Sequence, residues 1–432
     1  MPALGVSDIF DPASIDAGSV AWVLAASALV LFMTPGVAFF YGGMVRAQHV
    51  LSMLMQSLTV MAAVSVTWVL VGFTLAFGRG DGLVGGLEFA GLQSMNHQLP
   101  GFAGAHALVI PPILFAVFQL MFAVITPALI TGATADRWRF GSFALFVPLW
   151  CVLVYAPIAH WVFSPVGWAA RWGVLDFAGG TVVHVNAGAA GLAMALVLGR
   201  RRGWPTAAMR PHSMPFVVLG AAILWFGWFG FNAGSSLHAD SVAAYAFMNT
   251  NAAAAAALLA WVAVEQLRYG KPTTLGAASG AVAGLVAITP CAGFVSPLAA
   301  LGIGVLAGLA CAAAVSLKTW LQVDDSLDVV GVHLVGGVLG TLCVGLFAST
   351  SINPLGANGL FYGGGYGQIT RQAGTLLVVG LYSFTVTYVL GRVLDRVVGN
   401  RVPARQEQQG LDLALHGESG YELSEVADHV RI

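Results

Sequence analysis

The chain has 432 residues, of which 58% are hydrophobic and 9% charged, with a net charge of −1. A soluble domain carries about 25% charged residues, so the composition excludes a soluble fold and predicts an all-α polytopic membrane protein embedded in a lipid bilayer. The charge balance gives nucleic acid no basic face to bind, and the four cysteines (Cys151, Cys291, Cys311, Cys343) sit in apolar runs as small packing residues, not as disulfide or metal ligands.

The opening "MPALGVSDIFDPASIDAGS" lacks the basic region and apolar core of a secretory signal peptide. Residues 1–19 are therefore expected to form a short leader outside the membrane. Apolar runs of about 20 residues, the length that crosses a bilayer, follow at 20–42, 50–78, 107–133, 141–163, 180–199, 214–234, 242–264, 274–291, 294–317, 331–349 and 372–391. They predict eleven transmembrane helices in one unit, 20–391. An odd number of spans puts the termini on opposite sides of the membrane. With the N-terminus outside, fifteen of the 18 Lys and Arg residues are cytoplasmic and only Arg79, Arg171 and Arg371 are outside. This bias predicts N-out, C-in. The tail, 392–432, holds Asp395, Glu407, Asp412, Glu418, Glu422, Glu425 and Asp428 and is too polar to span.

Two runs carry ionisable groups that are costly at membrane depth. "DFAGGTVVHVNAGAAGLA" (176–193) and "SLDVVGVHLVGGVLGTL" (326–342) both contain H-x3-G-x2-G, as His184–Gly188–Gly191 and His333–Gly337–Gly340. Glycines at i+4 and i+7 share the histidine's helical face, and small residues let membrane helices approach closely. The fifth predicted span runs inward and the tenth outward, with five spans in each half, as an inverted repeat requires, leaving one final helix. Asp176 heads the first run and is expected to cap its helix; Asp328 is its expected counterpart at the other end. The two histidines should then meet near the middle of the membrane as a polar step in a dry pathway. A metal site usually needs three or four ligands, and neither face supplies them; His160 lies too near the outer end of its span to help. No nucleophile adjoins the pair, so an enzyme is not expected.

"TPGVAFFYGG", "DFAGGTVVH", "WFGFNAGS", "LVAITPCAGFV", "DDSLDVVGVH" and "GLDLALHGESGY", in this order across nearly the whole chain, resemble motifs of the Amt/Mep/Rh ammonium transporter family, the bacterial Amt branch in particular. The resemblance implies a homotrimeric ammonium transporter or channel of the inner (cytoplasmic) membrane that serves nitrogen metabolism, accepts methylammonium as an analogue, and needs no cofactor. It makes His184 and His333 the twin histidines of a pore and matches Phe122 and Phe231 to a phenylalanine gate. Ser235 and Phe163 match the outer ammonium-recruitment site, together with Phe122 and with Asp176 as a nearby charge; the family commonly has tryptophan where this chain has Phe163. Phe118, Gln119 and Trp228 match pore-lining positions. The tail resembles a cytoplasmic regulatory segment read by a PII-type nitrogen-signalling protein. Whether ammonia alone or ammonium as separated proton and ammonia moves is left open. An ammonium sensor of the same fold and a neutral-gas channel of the Rh type are the alternatives.

Overall fold

The structure, a computed structural model, describes residues 9–207 and 209–421. Residues 1–8 of the leader, and Glu422, Glu425 and Asp428 of the tail, lie outside the described residues. Among the described residues, eleven apolar helices follow one another: α1 Ala17–Met44, α2 Ala47–Phe77, α3 Pro112–Thr134, α4 Phe140–Trp172 (broken after Phe163), α5 Gly180–Leu198, α6 Met214–Gly234, α7 Ser241–Tyr269, α8 Thr274–Ile288, α9 Pro297–Leu321, α10 Val330–Phe347 and α11 Gly367–Val397. Among the described residues there are no strands, only isolated bridges.

Helix starts follow local chemistry. An oxygen-bearing side chain accepts a free N–H of the first turn: Asp16 from Ser19 at 2.7 Å, Ser213 from Phe216 at 3.4 Å, Asp240 from Ala243 at 2.9 Å and Ser296 from Ala299 at 3.3 Å. Pro112 and Pro297 open α3 and α9, where a missing N–H costs nothing.

Ten of these helices are long and apolar enough to cross a membrane, and α8 differs from expectation. Its 15 residues rise about 22 Å, short of a hydrocarbon core of about 30 Å. The helix stops there because Thr289 and Pro290 lead into a turn, whereas the apolar run on which the prediction rests continues to 291. Conversely, α11 extends beyond the predicted 372–391 at both ends, to 31 residues.

The two halves pack through corresponding members, α1 on α6 and α5 on α10. On the first pair, a Cβ placed on Gly220 would stand 2.2 Å from the Phe40 backbone nitrogen, so the crossing requires glycine. Beyond α11 the chain is folded. Asn400 and Val402 exchange backbone hydrogen bonds with Arg139 and Arg137, and Asp412 accepts from Leu51 N (3.0 Å) and Ser52 N (2.8 Å) at the start of α2.

Candidate functional site

His184 and His333 each sit in a π-helical turn, Gly180–Val185 and Val330–Leu334, a widened turn that often marks functional positions in helices. The glycine frame brings these turns together. A Cβ on Gly188 would stand 2.5 Å from Leu334 N, and one on Gly337 would lie 3.1 Å from the His184 Cβ. The glycines three residues further on serve other neighbours: Gly191 faces Ala133 and Val329, and Gly340 faces Ala287.

The imidazoles meet through Nδ1 atoms 3.3 Å apart, with ring centroids separated by 5.3 Å. One Nδ1 must donate and the other accept, so one Nε2 is left as an acceptor and the other as a donor. Trp228 stacks on His184 at 5.4 Å and 19°, anchored by Nε1 donating to Thr289 Oγ1 at 2.8 Å. Trp228, both histidines, Val183, Ile125 and Tyr41 line a narrow apolar cavity with about 10 Å³ free, room for about one water-sized molecule.

On one side of this cavity Phe231 and Phe122 close the way, their rings 4.3 Å apart and inclined by 31°. Phe231 faces the histidines; Phe122 faces an open vestibule of about 760 Å³, which Gln119, Phe163, Asp176 and Ser235 also line. Phe163 meets Phe122 edge-on at 6.2 Å. Ser235 Oγ donates to the Phe231 carbonyl at 2.8 Å, leaving its lone pairs for a further donor. Phe118, expected along the pore, packs behind Phe122 at 4.9 Å, with its ring against Gly234, outside the described cavities. One helical turn separates Phe118 from Phe122, but the gate ring occupies the side facing the cavity.

Asp176 is a cap. Oδ1 accepts from Gly179 (2.9 Å) and Gly180 (2.7 Å), and Oδ2 from Thr181 (2.8 Å) and Val182 (3.2 Å). Its counterpart is Asp325, not Asp328: Oδ1 and Oδ2 of Asp325 accept from Val329 (3.0 Å) and Val330 (2.7 Å) at the head of α10. The sequence does carry the signal, since Asp176 precedes His184 by the same interval as Asp325 precedes His333. Asp328 instead adopts a left-handed φ of 63° and pairs with Lys318 Nζ at 2.5 Å. Burial pushes the Asp325 carboxyl up from its ordinary range, with the Asp328 charge acting in the same direction and Lys318 opposing.

Past the histidines a second narrow cavity, lined by His333, Tyr41, Val282, Ser279 and Asp328, leads towards a polar pocket of about 180 Å³ bounded by Arg46, Asp136, Arg201 and Lys318. Beside it, Arg201 donates to both carboxylate oxygens of Asp324, from Nε to Oδ2 at 3.0 Å and from a terminal nitrogen to Oδ1 at 2.8 Å. Burial alone would raise the Asp324 carboxyl, but the Arg201 hydrogen bonds and charge outweigh it and hold the group below the usual carboxylate range. Tyr41 lines both inner cavities and its hydroxyl donates to Leu129 O at 3.2 Å; in the sequence it lies within "TPGVAFFYGG", a motif that carries the resemblance without giving the tyrosine a role. His160 is engaged elsewhere, with Nδ1 at 2.9 Å from Ala76 O. Among the described residues no group of three or more His, Cys, Asp or Glu side chains is arranged to hold a metal.

A bundle of apolar helices long enough to cross a membrane, with a vestibule, an aromatic constriction and a narrow lumen beyond it, has the architecture of a membrane transport protein. The family model described as Ammonium Transporter Family matches residues 21–421, and the chain belongs to that family. It is 51% identical over 439 residues to an ammonium transporter of Mycobacterium tuberculosis (strain ATCC 25618 / H37Rv), covering 95% of this chain and 91% of the relative. With an ammonium transporter of Bacillus subtilis (strain 168) it shares 48% identity over 408 residues, covering 94% and 99%. The crystal structure of Saccharomyces cerevisiae Mep2 superposes with a TM-score of 0.87 at 38% identity, covering 95% of this chain and 93% of that one. A sensor Amt protein superposes with a TM-score of 0.83 at 29% identity, covering 92% and 98%.

Proposed function

We propose that the chain transports ammonium through this conduit by separating the cation into a proton and ammonia. The cation is held in the vestibule by the Ser235 hydroxyl and the faces of Phe122 and Phe163, with Asp176 lowering the electrostatic cost of its approach. Ammonium and potassium carry the same charge at similar size, but only ammonium can shed a proton and become neutral. A charge at membrane depth costs about 2.5–3.5 kcal/mol even on the most lenient scales, so a dry constriction rejects the ions and passes ammonia. Past the phenylalanine pair, the acceptor and donor Nε2 atoms of His184 and His333 offer the neutral molecule a hydrogen bond of each kind. The proton returns to the outer solution or crosses separately.

The observation that carries this reading is the close, tilted Phe122–Phe231 pair standing between the vestibule and the paired imidazoles. The apolar runs support eleven spans, with α8 the short member, the distribution of basic residues supports N-out, C-in, and the family resemblance supports the inner (cytoplasmic) membrane. The family resemblance supports a homotrimer with one conduit per chain and a PII-type partner at the arginine-rich face. The relatives named as transporters share more identity than the sensor does, which favours transport over sensing.

Current and uptake measured together on purified protein in liposomes test the proposal. The native protein should take up ammonium and methylammonium and exclude potassium. His184→Ala and Phe231→Ala should each cut uptake by about tenfold, the order of one lost interaction of 1.4 kcal/mol, or admit potassium. Native uptake and selectivity in both variants would overturn it.

A further inference from the structure

The two mouths of the conduit each present a carboxylate, but in different electrostatic settings. At the vestibule, Asp176 is held by four backbone N–H groups, which satisfy its lone pairs without cancelling its formal charge. At the opposite mouth Asp328 lines the cavity that contains His333, and Lys318 Nζ lies 2.5 Å from its Oδ1 and 3.2 Å from the Asp325 carbonyl. About a quarter of each side chain is exposed, 24% for Lys318 and 26% for Asp328, so the pair is screened only in part. Met44 and Leu327 line both this cavity and the polar pocket beyond it, where Lys318 also stands. A cation entering from that side therefore meets the ion pair before it reaches the histidine. Of the other charges around it, Arg201 lies between Asp324 and Asp136, Arg46 is 3.9 Å from Asp136, the buried Arg137 donates to the Asp324 carbonyl, and the Asp325 carboxylate is turned to the N–H groups of Val329 and Val330.

We propose that Lys318 is a positioning residue that makes cation recruitment one-sided: by neutralising and holding Asp328, it prevents the mouth opposite the vestibule from acting as a second ammonium site. This deepens the transport reading above and rests on it. Without the lysine, Asp328 would present a bare carboxylate at a narrow opening, and ammonium would collect there as it does at the vestibule.

The test uses full-length protein reconstituted in one orientation or the other, with the half-saturating methylammonium concentration measured from each face. If the native protein carries no methylammonium, the transport reading itself fails. Given native transport, Lys318→Met should lower half-saturation about two- to five-fold at the Lys318 face, the range of a partly exposed charge pair. Half-saturation at the vestibule should be unchanged. Lys318→Arg should behave as native, and Lys318→Met with Asp328→Asn should abolish the fall. An equal change at both faces, no change at either, or a fall that persists in the double variant overturns the proposal. If Lys318→Met does not assemble, Asp328→Asn alone decides: an unpaired lysine should raise half-saturation at its own face, and an unchanged value refutes the idea.

Discussion

Phe163 stands where the family resemblance implies a tryptophan, and the structure gives that position a setting. It lines the vestibule edge-on to Phe122. Trp161, two positions earlier, does not line the vestibule, and its Nε1 donates to Leu83 O at 2.7 Å. Tryptophan offers the stronger aromatic face to a cation, and the interaction at an exposed site is worth about 0.5–1 kcal/mol. Phe163→Trp should therefore lower the half-saturating ammonium concentration a few-fold at most, and Phe163→Ala should raise it. Three equal values in an uptake titration would remove Phe163 from the recruitment site. Much at this scale was legible in the sequence: the histidine pair from its repeated glycine frame, and the cap at Asp176 from its place at the head of a span. The second cap was misread. Asp328 lies nearer the helix start, but its left-handed φ of 63° and its pairing with Lys318 take it away from the cap, and the interval that Asp176–His184 shares with Asp325–His333 is the pattern that identifies Asp325.

Among the elements, α5 and α10 depend on their crossing. At Gly337 an added Cβ would stand 3.0 Å from the Gly180 carbonyl and 3.1 Å from the His184 Cβ, closer than a packed core tolerates without moving. Gly337→Val should cost about 1–3 kcal/mol as overpacking and displace the His184 ring, so uptake falls while insertion persists. Gly302→Ala in α9 is the matched control, since nothing lies within 4 Å of its missing Cβ and alanine is the better helix former. Thermal unfolding in detergent should separate the two, with Gly337→Val melting lower and Gly302→Ala unchanged or higher. Equal melting curves and equal uptake would show that the crossing has slack. Helix existence and order were readable from apolar runs because span length is set by the bilayer. The shortness of α8 was not, because the turn after Ile288 is as apolar as the helix. The π-helical turns were hidden for a different reason: they arise from how two helices meet, and a single run carries no sign of its partner.

For the whole molecule, the polar segment beyond α11 is joined to the helix ends of the bundle. Asp412 caps α2; Glu407 accepts from Arg202 N at 2.7 Å and pairs with Arg401 at 2.8 Å; and Tyr421 meets His212 at 2.9 Å. Burial raises the Asp412 carboxyl, partly offset by the hydrogen bonds from Ser52 and Leu51. Replacing a capping carboxylate by alanine costs about 1 kcal/mol. Asp412→Ala should therefore make residues 398–421 more susceptible to limited proteolysis by roughly five-fold. If the segment regulates transport, uptake or its response to a PII-type protein should change with it. Unchanged cleavage would show that the remaining contacts suffice to hold the segment. Composition announced this segment as too polar to cross a membrane, but its docking depends on partners some 360 positions away.

On the proposed pathway, the chamber beside the histidines has room for about one small molecule, so traffic through it would be a queue served singly. Throughput is then the reciprocal of a dwell time. Each added attraction between the imidazoles and their guest lengthens the stay, and a guest held too well becomes a plug. The apolar wall formed by Val183, Ile125 and Val282 sets that compromise: it leaves the visitor little to hold beyond the two rings, and so keeps the line moving.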